Sequence, residues 1–207
     1  MSVPTYPSST SRRSPLMQIC HGAPGLLLLL GATRHHEQLS GHKTPEWDEA
    51  IQRCTERVWD EGLLSKGGGL CHGIAGNAWP WLILAADAFA QTSSTAADFV
   101  ATNTEGKVAG DEFLSRALAF LLHAQETPPL TSESRYRVPD HPYSLLEGLA
   151  GTICAWSEAC VLLTTRLRLM KMGEERSGGT ADEWYADFVA GLLGFPGLGG
   201  CGACGWL

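Results

Sequence analysis

The hexapeptide CHGAPG (Cys20–Gly25) and its near copy CHGIAG (Cys71–Gly76) each set a thiol beside an imidazole, ahead of glycine. Two thiolates and one imidazole suit Zn²⁺, and three protein ligands leave a fourth tetrahedral position for water or substrate. If the two turns lie at one end of the fold, Cys20, Cys71 and His72 can form that set. A thiol bound to such a metal loses its proton near neutral pH, so the site would turn an incoming thiol into a sulfur nucleophile. Two other readings stay open on these residues alone. A single CHG is compatible with a buried cysteine beside a core histidine, although a second copy in an equivalent place weighs against this. His21 could also serve as a fourth ligand, closing a Cys2His2 site that only stabilises the fold.

The elements that carry these turns repeat. CHGAPG, CHGIAG and LEGLAG (Leu146–Gly151) share a G-x-x-G ending, and each runs directly into an apolar stretch: LLLLLGA, NAWPWLILAADAFA and TICAWSEACVLL. Those stretches read as buried helices. Before the second motif, EAIQRCTERVWDEGLL places Ile51, Cys54 and Val58 at helical spacing with charges opposite, which is an outer amphipathic helix. FLSRALAFLLHAQ before the third motif and EWYADFVAGLLGF after it continue the alternation. The unit is outer helix, glycine turn, inner helix. Stacked helical hairpins curve, and inner helices that are apolar nearly all round must face one another, so the expected fold is all-α, a partial α/α toroid or solenoid. Residues 91–112 are polar and are expected to be a surface insertion. Residues 1–17 are expected to be a disordered tail, 18–196 the helical domain and 197–207 a Gly/Cys-rich tail. In that tail Cys201 and Cys204 make only half of a zinc ribbon.

Composition narrows the class. Of 207 residues 44% are apolar and 18% charged, which is globular rather than disordered. The net charge of −7 argues against nucleic acid, whose binders need a basic stripe. Seven scattered cysteines do not resemble a disulfide framework and point to a reducing compartment. The apolar runs, Leu26–Ala32 and the stretch from Ala78 that Asp87 interrupts, fall far short of the roughly 20 residues that a membrane span needs. The first residues hold Arg12 and Arg13 with no apolar core after them, so neither secretion nor a transit peptide is favoured. A cytoplasmic protein is expected, with peripheral membrane association left open.

ICHGAPGLL, EGLLSKGGGLCHGIAGNAW and RVPDHPYSLLEGLAGT together resemble the C-terminal part of the eukaryotic LanC-like proteins, relatives of the bacterial lanthionine synthetase cyclases. The resemblance covers about Cys20 to Cys160. It implies an α/α toroid whose zinc is held by Cys20, Cys71 and His72, with His21 left as a packing residue. It also implies addition of a thiol, from glutathione or a peptide cysteine, to dehydroamino acids in peptides or proteins. Glutathione contacts carry over to Lys66 and to the stretch Arg137, Val138, Pro139 and Asp140. Without the family, Lys66 reads as a solvated loop lysine and Arg137 as the partner of a local acid.

The chain also departs from the family pattern. Family members carry further hairpins upstream, with a histidine and an acid proposed for proton transfer, and nothing in MSVPTYPSSTSRRSPLMQI matches them. Ile19 stands where a tryptophan usually precedes the first zinc cysteine, and Glu147 follows Leu146 where the first two motifs have Cys-His. The carboxylate of Glu147 is expected to hold turn amides. A truncated chain is therefore expected, with apolar surface left on its inner helices and no assigned catalytic acid. The two functional readings are a thioether-forming enzyme, and a zinc- or glutathione-binding scaffold without turnover. Sugar hydrolysis, another chemistry found on α/α toroids, needs a spaced pair of carboxylates that the glycine turns lack.

Overall fold

The second glycine turn starts its helix because its own carbonyls cap the first amides. In a computed structural model that describes residues 17–35, 41–91, 104–132 and 135–174, the GGG stretch before Cys71 offers the carbonyls of Gly67, Gly68 and Gly69 to the amides of Ile74, Ala75 and Gly76, at 3.0, 3.1 and 3.2 Å. These amides belong to the first turn of a helix, where no intrahelical acceptor exists. The helix they open, α3 (Ile74–Gln91), follows α1 (Ala23–His35) and α2 (Pro45–Glu61) and precedes α4 (Thr104–Ala124) and α5 (Leu149–Glu174). No strand occurs among the described residues. The fold is all-α, as expected: α1, α3 and α5 each leave a glycine turn, while α2 and α4 precede one.

α3 is the centre of the arc, touching α1, α4 and α5. Its Trp79, Trp81, Leu82 and Ala85 are fully enclosed. Trp81 meets Phe120 of α4 edge-on with ring centroids 4.8 Å apart, a favoured aromatic geometry. Trp59 of α2 completes the cluster at 5.9 Å from Phe120. α2 buries Ile51, Thr55 and Val58 on one face and carries the pairs Arg53–Glu49 and Arg57–Glu61 on its exposed faces. α1 and α5 flank α3, and each keeps an apolar strip in solvent: Leu26 and Leu29 on α1, Ile153, Leu167 and Met170 on α5.

Two boundaries differ from the sequence reading. Residues 104–112, expected to be part of a surface loop, are the first turns of α4. Their polar residues read as loop but serve as helix partners: Glu112 pairs with Arg116 one turn on, and Asp111 takes both ends of the Arg166 guanidinium on α5. Gly110 is buried against the Phe89 ring of α3, where a side chain would collide. Met17, expected to belong to the tail, is in the core at 4% exposure. Residues 1–16, 92–103, the segment EWYADFVAGLLGF and the C-terminal tail lie outside the described residues.

Candidate thiol site at the glycine turns

The three motifs are joined in series by contacts that recur at both junctions. The amide of Cys20 points to the carbonyl of Cys71 at 3.5 Å, and the amide of Cys71 donates to the carbonyl of Leu146 at 2.8 Å. These are the first residues of the three hexapeptides. The residue after a motif staples it to the preceding repeat. Asn77 Nδ2 donates to the carbonyl of Met17 at 3.0 Å, and Thr152 Oγ1 donates to that of Gly68 at 2.9 Å, both acceptors lying three residues before a motif. Asn77 Nδ2 also donates to the carbonyl of Gly62 at 2.8 Å. Within each motif the last glycine is required by close approach: a Cβ on Gly25, Gly76 or Gly151 would fall on the carbonyl of Ile19, Leu70 or Leu145. Sequence reasoning found the glycines and missed Asn77 and Thr152, although each directly follows a G-x-x-G.

This ladder brings two thiols together. The thiol of Cys71 lies within hydrogen-bonding reach of the Cys20 thiol. Cys20 is exposed, and its Sγ is 3.5 Å from Oε1 of Gln18. Its turn is closed by the Gln18 amide donating to the carbonyl of His21 at 2.9 Å and the His21 amide returning to Gln18 at 3.1 Å. Cys71 is half-buried, and its thiol is pushed up to about 11. Burial is the largest cause, followed by hydrogen bonding to Cys20, the charge of Cys20 and the charge of Glu147, while the Lys66 ammonium acts in the opposite direction.

Of the residues expected around glutathione, Lys66 acts on the Cys71 thiol, and the RVPD stretch lies against the loop that carries Lys66. The amide of Arg137 donates to the carbonyl of Ser65 at 2.7 Å, which ties the RVPD stretch to the loop bearing Lys66. Pro139 is buried and packs on Gly67, whose φ of +107° suits glycine. Arg137 is exposed, with its guanidinium 3.8 Å from the Asp140 carboxylate. Val138 is 62% exposed. Lys66 and Arg137 thus share one rim of the turn cluster. Glu147 was expected to hold turn amides; its own amide donates to Ser144 Oγ at 3.2 Å, and its charge bears on Cys71.

Sulfur donors in a pair are what zinc prefers, so the donor chemistry of Cys20 and Cys71 fits the metal. His72 is half-buried at the start of the same turn. Among the described residues no three His, Cys, Asp or Glu side chains are gathered closely enough to hold a metal ion. The contact described among the expected ligands is the one between Cys20 and Cys71. No described helix is long and apolar enough to cross a membrane.

Known proteins are similar to this chain in sequence. The family model described as Lanthionine synthetase C-like protein matches residues 4–160. The glutathione S-transferase LANCL1 of Danio rerio is 32% identical over 142 residues, covering 68% of this chain and 28% of that protein. The LanC-like protein GCL1 of Arabidopsis thaliana is 31% identical over 153 residues, covering 73% of this chain and 29% of that protein. The chain thus spans under a third of the length of these two relatives.

Proposed function

The chain belongs to the lanthionine synthetase C-like family, and from that premise we propose that its turn cluster is a thiol-activating centre. In this reading Cys20, Cys71 and His72 hold zinc, the thiol comes from glutathione or a peptide cysteine, and the acceptor is a dehydroamino acid in a peptide or protein. The observation that carries it is the contact between Cys20 and Cys71, residues of separate turns that the interrepeat ladder brings together beside Lys66. The relative from Danio rerio, named as a glutathione S-transferase, supports glutathione as the thiol.

The metal's contribution is positive charge beside sulfur, which favours thiolate near neutral pH. The chain's own residues do the rest. The half-buried Cys71 anchors the inner side of the pair, and the exposed Cys20 faces the solvent from which a thiol arrives. Lys66 and Arg137 supply the rim cations that the carboxylates of glutathione need, attraction that a chain of net charge −7 must provide locally. Addition forms a C–S bond at the β-carbon of the acceptor and places one proton on its α-carbon, so S–H is added across the double bond. A positioned acid accelerates such a proton transfer by about 10² to 10⁴.

Incubation of the zinc-loaded chain with glutathione and a dehydroalanine peptide, read by mass spectrometry against a metal-free control, tests this. Zinc-dependent adduct supports the addition. Stoichiometric zinc without adduct assigns the chain to a metal- and glutathione-binding scaffold, and failure to bind zinc removes both readings.

A further inference from the structure

The contact between Cys20 and Cys71 has a chemistry of its own that needs no metal. A disulfide demands two cysteines whose α-carbons lie within about 4.4–6.8 Å and whose side chains point toward each other. The Cys20 amide lies 3.5 Å from the Cys71 carbonyl, so the two residues are neighbours across adjacent turns. The Cys71 thiol is within hydrogen-bonding reach of the Cys20 thiol. Cys20 is open to solvent, whereas Cys71 is half-buried behind it. An oxidant would therefore meet one sulfur first and leave the other placed to resolve the product. The short turn around Cys20, closed by the reciprocal Gln18–His21 bonds, and the bond from the Cys71 amide to Leu146 hold the two residues in this relation.

We propose that Cys20 and Cys71 form a redox pair that closes to an intramolecular disulfide when the chain meets a small-molecule disulfide such as oxidised glutathione. In the first exchange the Cys20 sulfur attacks oxidised glutathione, a mixed disulfide forms on Cys20 and one glutathione leaves. In the second, the Cys71 sulfur attacks the Cys20 sulfur and displaces the other glutathione, the thiol protons ending on the two glutathiones released. Two protein thiols are oxidised and one oxidant disulfide is reduced, so atoms and electrons balance. The disulfide stands apart from the activity proposed above. Only its consequence rests on that reading: closure removes two metal donors at once and makes the thiol centre reversibly sensitive to the glutathione redox state.

The test uses the full chain carrying Cys201→Ser and Cys204→Ser, which removes the other closely spaced cysteine pair, stripped of metal with a chelator and exposed to oxidised glutathione. Intact mass and non-reducing peptide maps are read together. The expected result is loss of two hydrogens, a peptide joining Cys20 to Cys71, and reversal by dithiothreitol. Adding Cys71→Ser should arrest the reaction at the glutathione adduct on Cys20. The same map on the unsubstituted chain guards against a variant that fails to fold. A stable glutathione adduct on Cys20 with Cys71 intact, or a crosslink joining either cysteine to Cys54, Cys154 or Cys160 instead, overturns the pairing. A parallel arm adds zinc before the oxidant. Protection supports the metal reading, and unaltered crosslinking refutes that reading while leaving the redox pair standing.

Discussion

In the metal-free chain the Cys71 thiol should be protected from alkylation by its surroundings, and the size of the effect follows from its shift to about 11. An ordinary cysteine titrates near 8.5, so at pH 8.5 it is half thiolate, whereas Cys71 is ionised in roughly one chain in 300. Its thiolate is less available by a factor of about 150. A more basic thiolate is also a better nucleophile, and a Brønsted slope of about 0.4–0.5 returns roughly tenfold. The net slowing should be about tenfold. Iodoacetamide alkylation at pH 8.5, followed at the Cys71 peptide in native and urea-unfolded protein, measures it. Glu147→Gln removes one of the charges that disfavour the thiolate and should speed the native reaction, while Lys66→Met should slow it further. Equal rates in native and unfolded protein, or no response to Glu147→Gln, would refute the electrostatic account. The sign for stability follows from the same shift. Because the unfolded thiol ionises near pH 8.5 and the native one only near 11, this group's contribution to stability is complete below that lower value and fades as pH rises toward the upper one.

Three further outcomes are expected. His72→Ala should lose most zinc affinity and His21→Ala far less, measured by competition with a chromophoric chelator; equal losses would favour a closed Cys2His2 site. Lys66→Ala and Arg137→Ala should each weaken glutathione binding about tenfold, the value of a charge-assisted hydrogen bond of about 1.5 kcal/mol, and calorimetry showing unchanged affinity would remove that residue from the site. Asn77→Leu keeps similar bulk but strands the carbonyls of Met17 and Gly62, so urea unfolding should show a loss of about 2–4 kcal/mol. A loss below about 1 kcal/mol would mean that those carbonyls find other donors.

Much of the fold was legible because helices and turns are local. The 3.6-residue period of Ile51, Cys54 and Val58 marks α2 without any knowledge of its neighbours. The three G-x-x-G endings mark places where backbone must approach backbone, and each final glycine does sit against the carbonyl six residues earlier. The thiols were legible as types in equivalent positions, and so was the adjacency implied by repetition. The start of α4 was misread because local polarity does not tell a loop from a helix whose Asp111 and Glu112 are paired.

Tertiary structure decided what depends on distance between segments remote in sequence. Which residue staples one repeat to the next could not be read from Asn77 or Thr152 alone, because their acceptors lie 60 and 84 residues away. The same holds for the Cys71 thiol, whose ionisation is governed by its burial, by Cys20 and Glu147 from other turns and by Lys66. Residue types determined that sulfur chemistry was available here. The interrepeat ladder decided that Cys20 and Cys71 meet, because backbone bonds hold the first residues of adjacent motifs together.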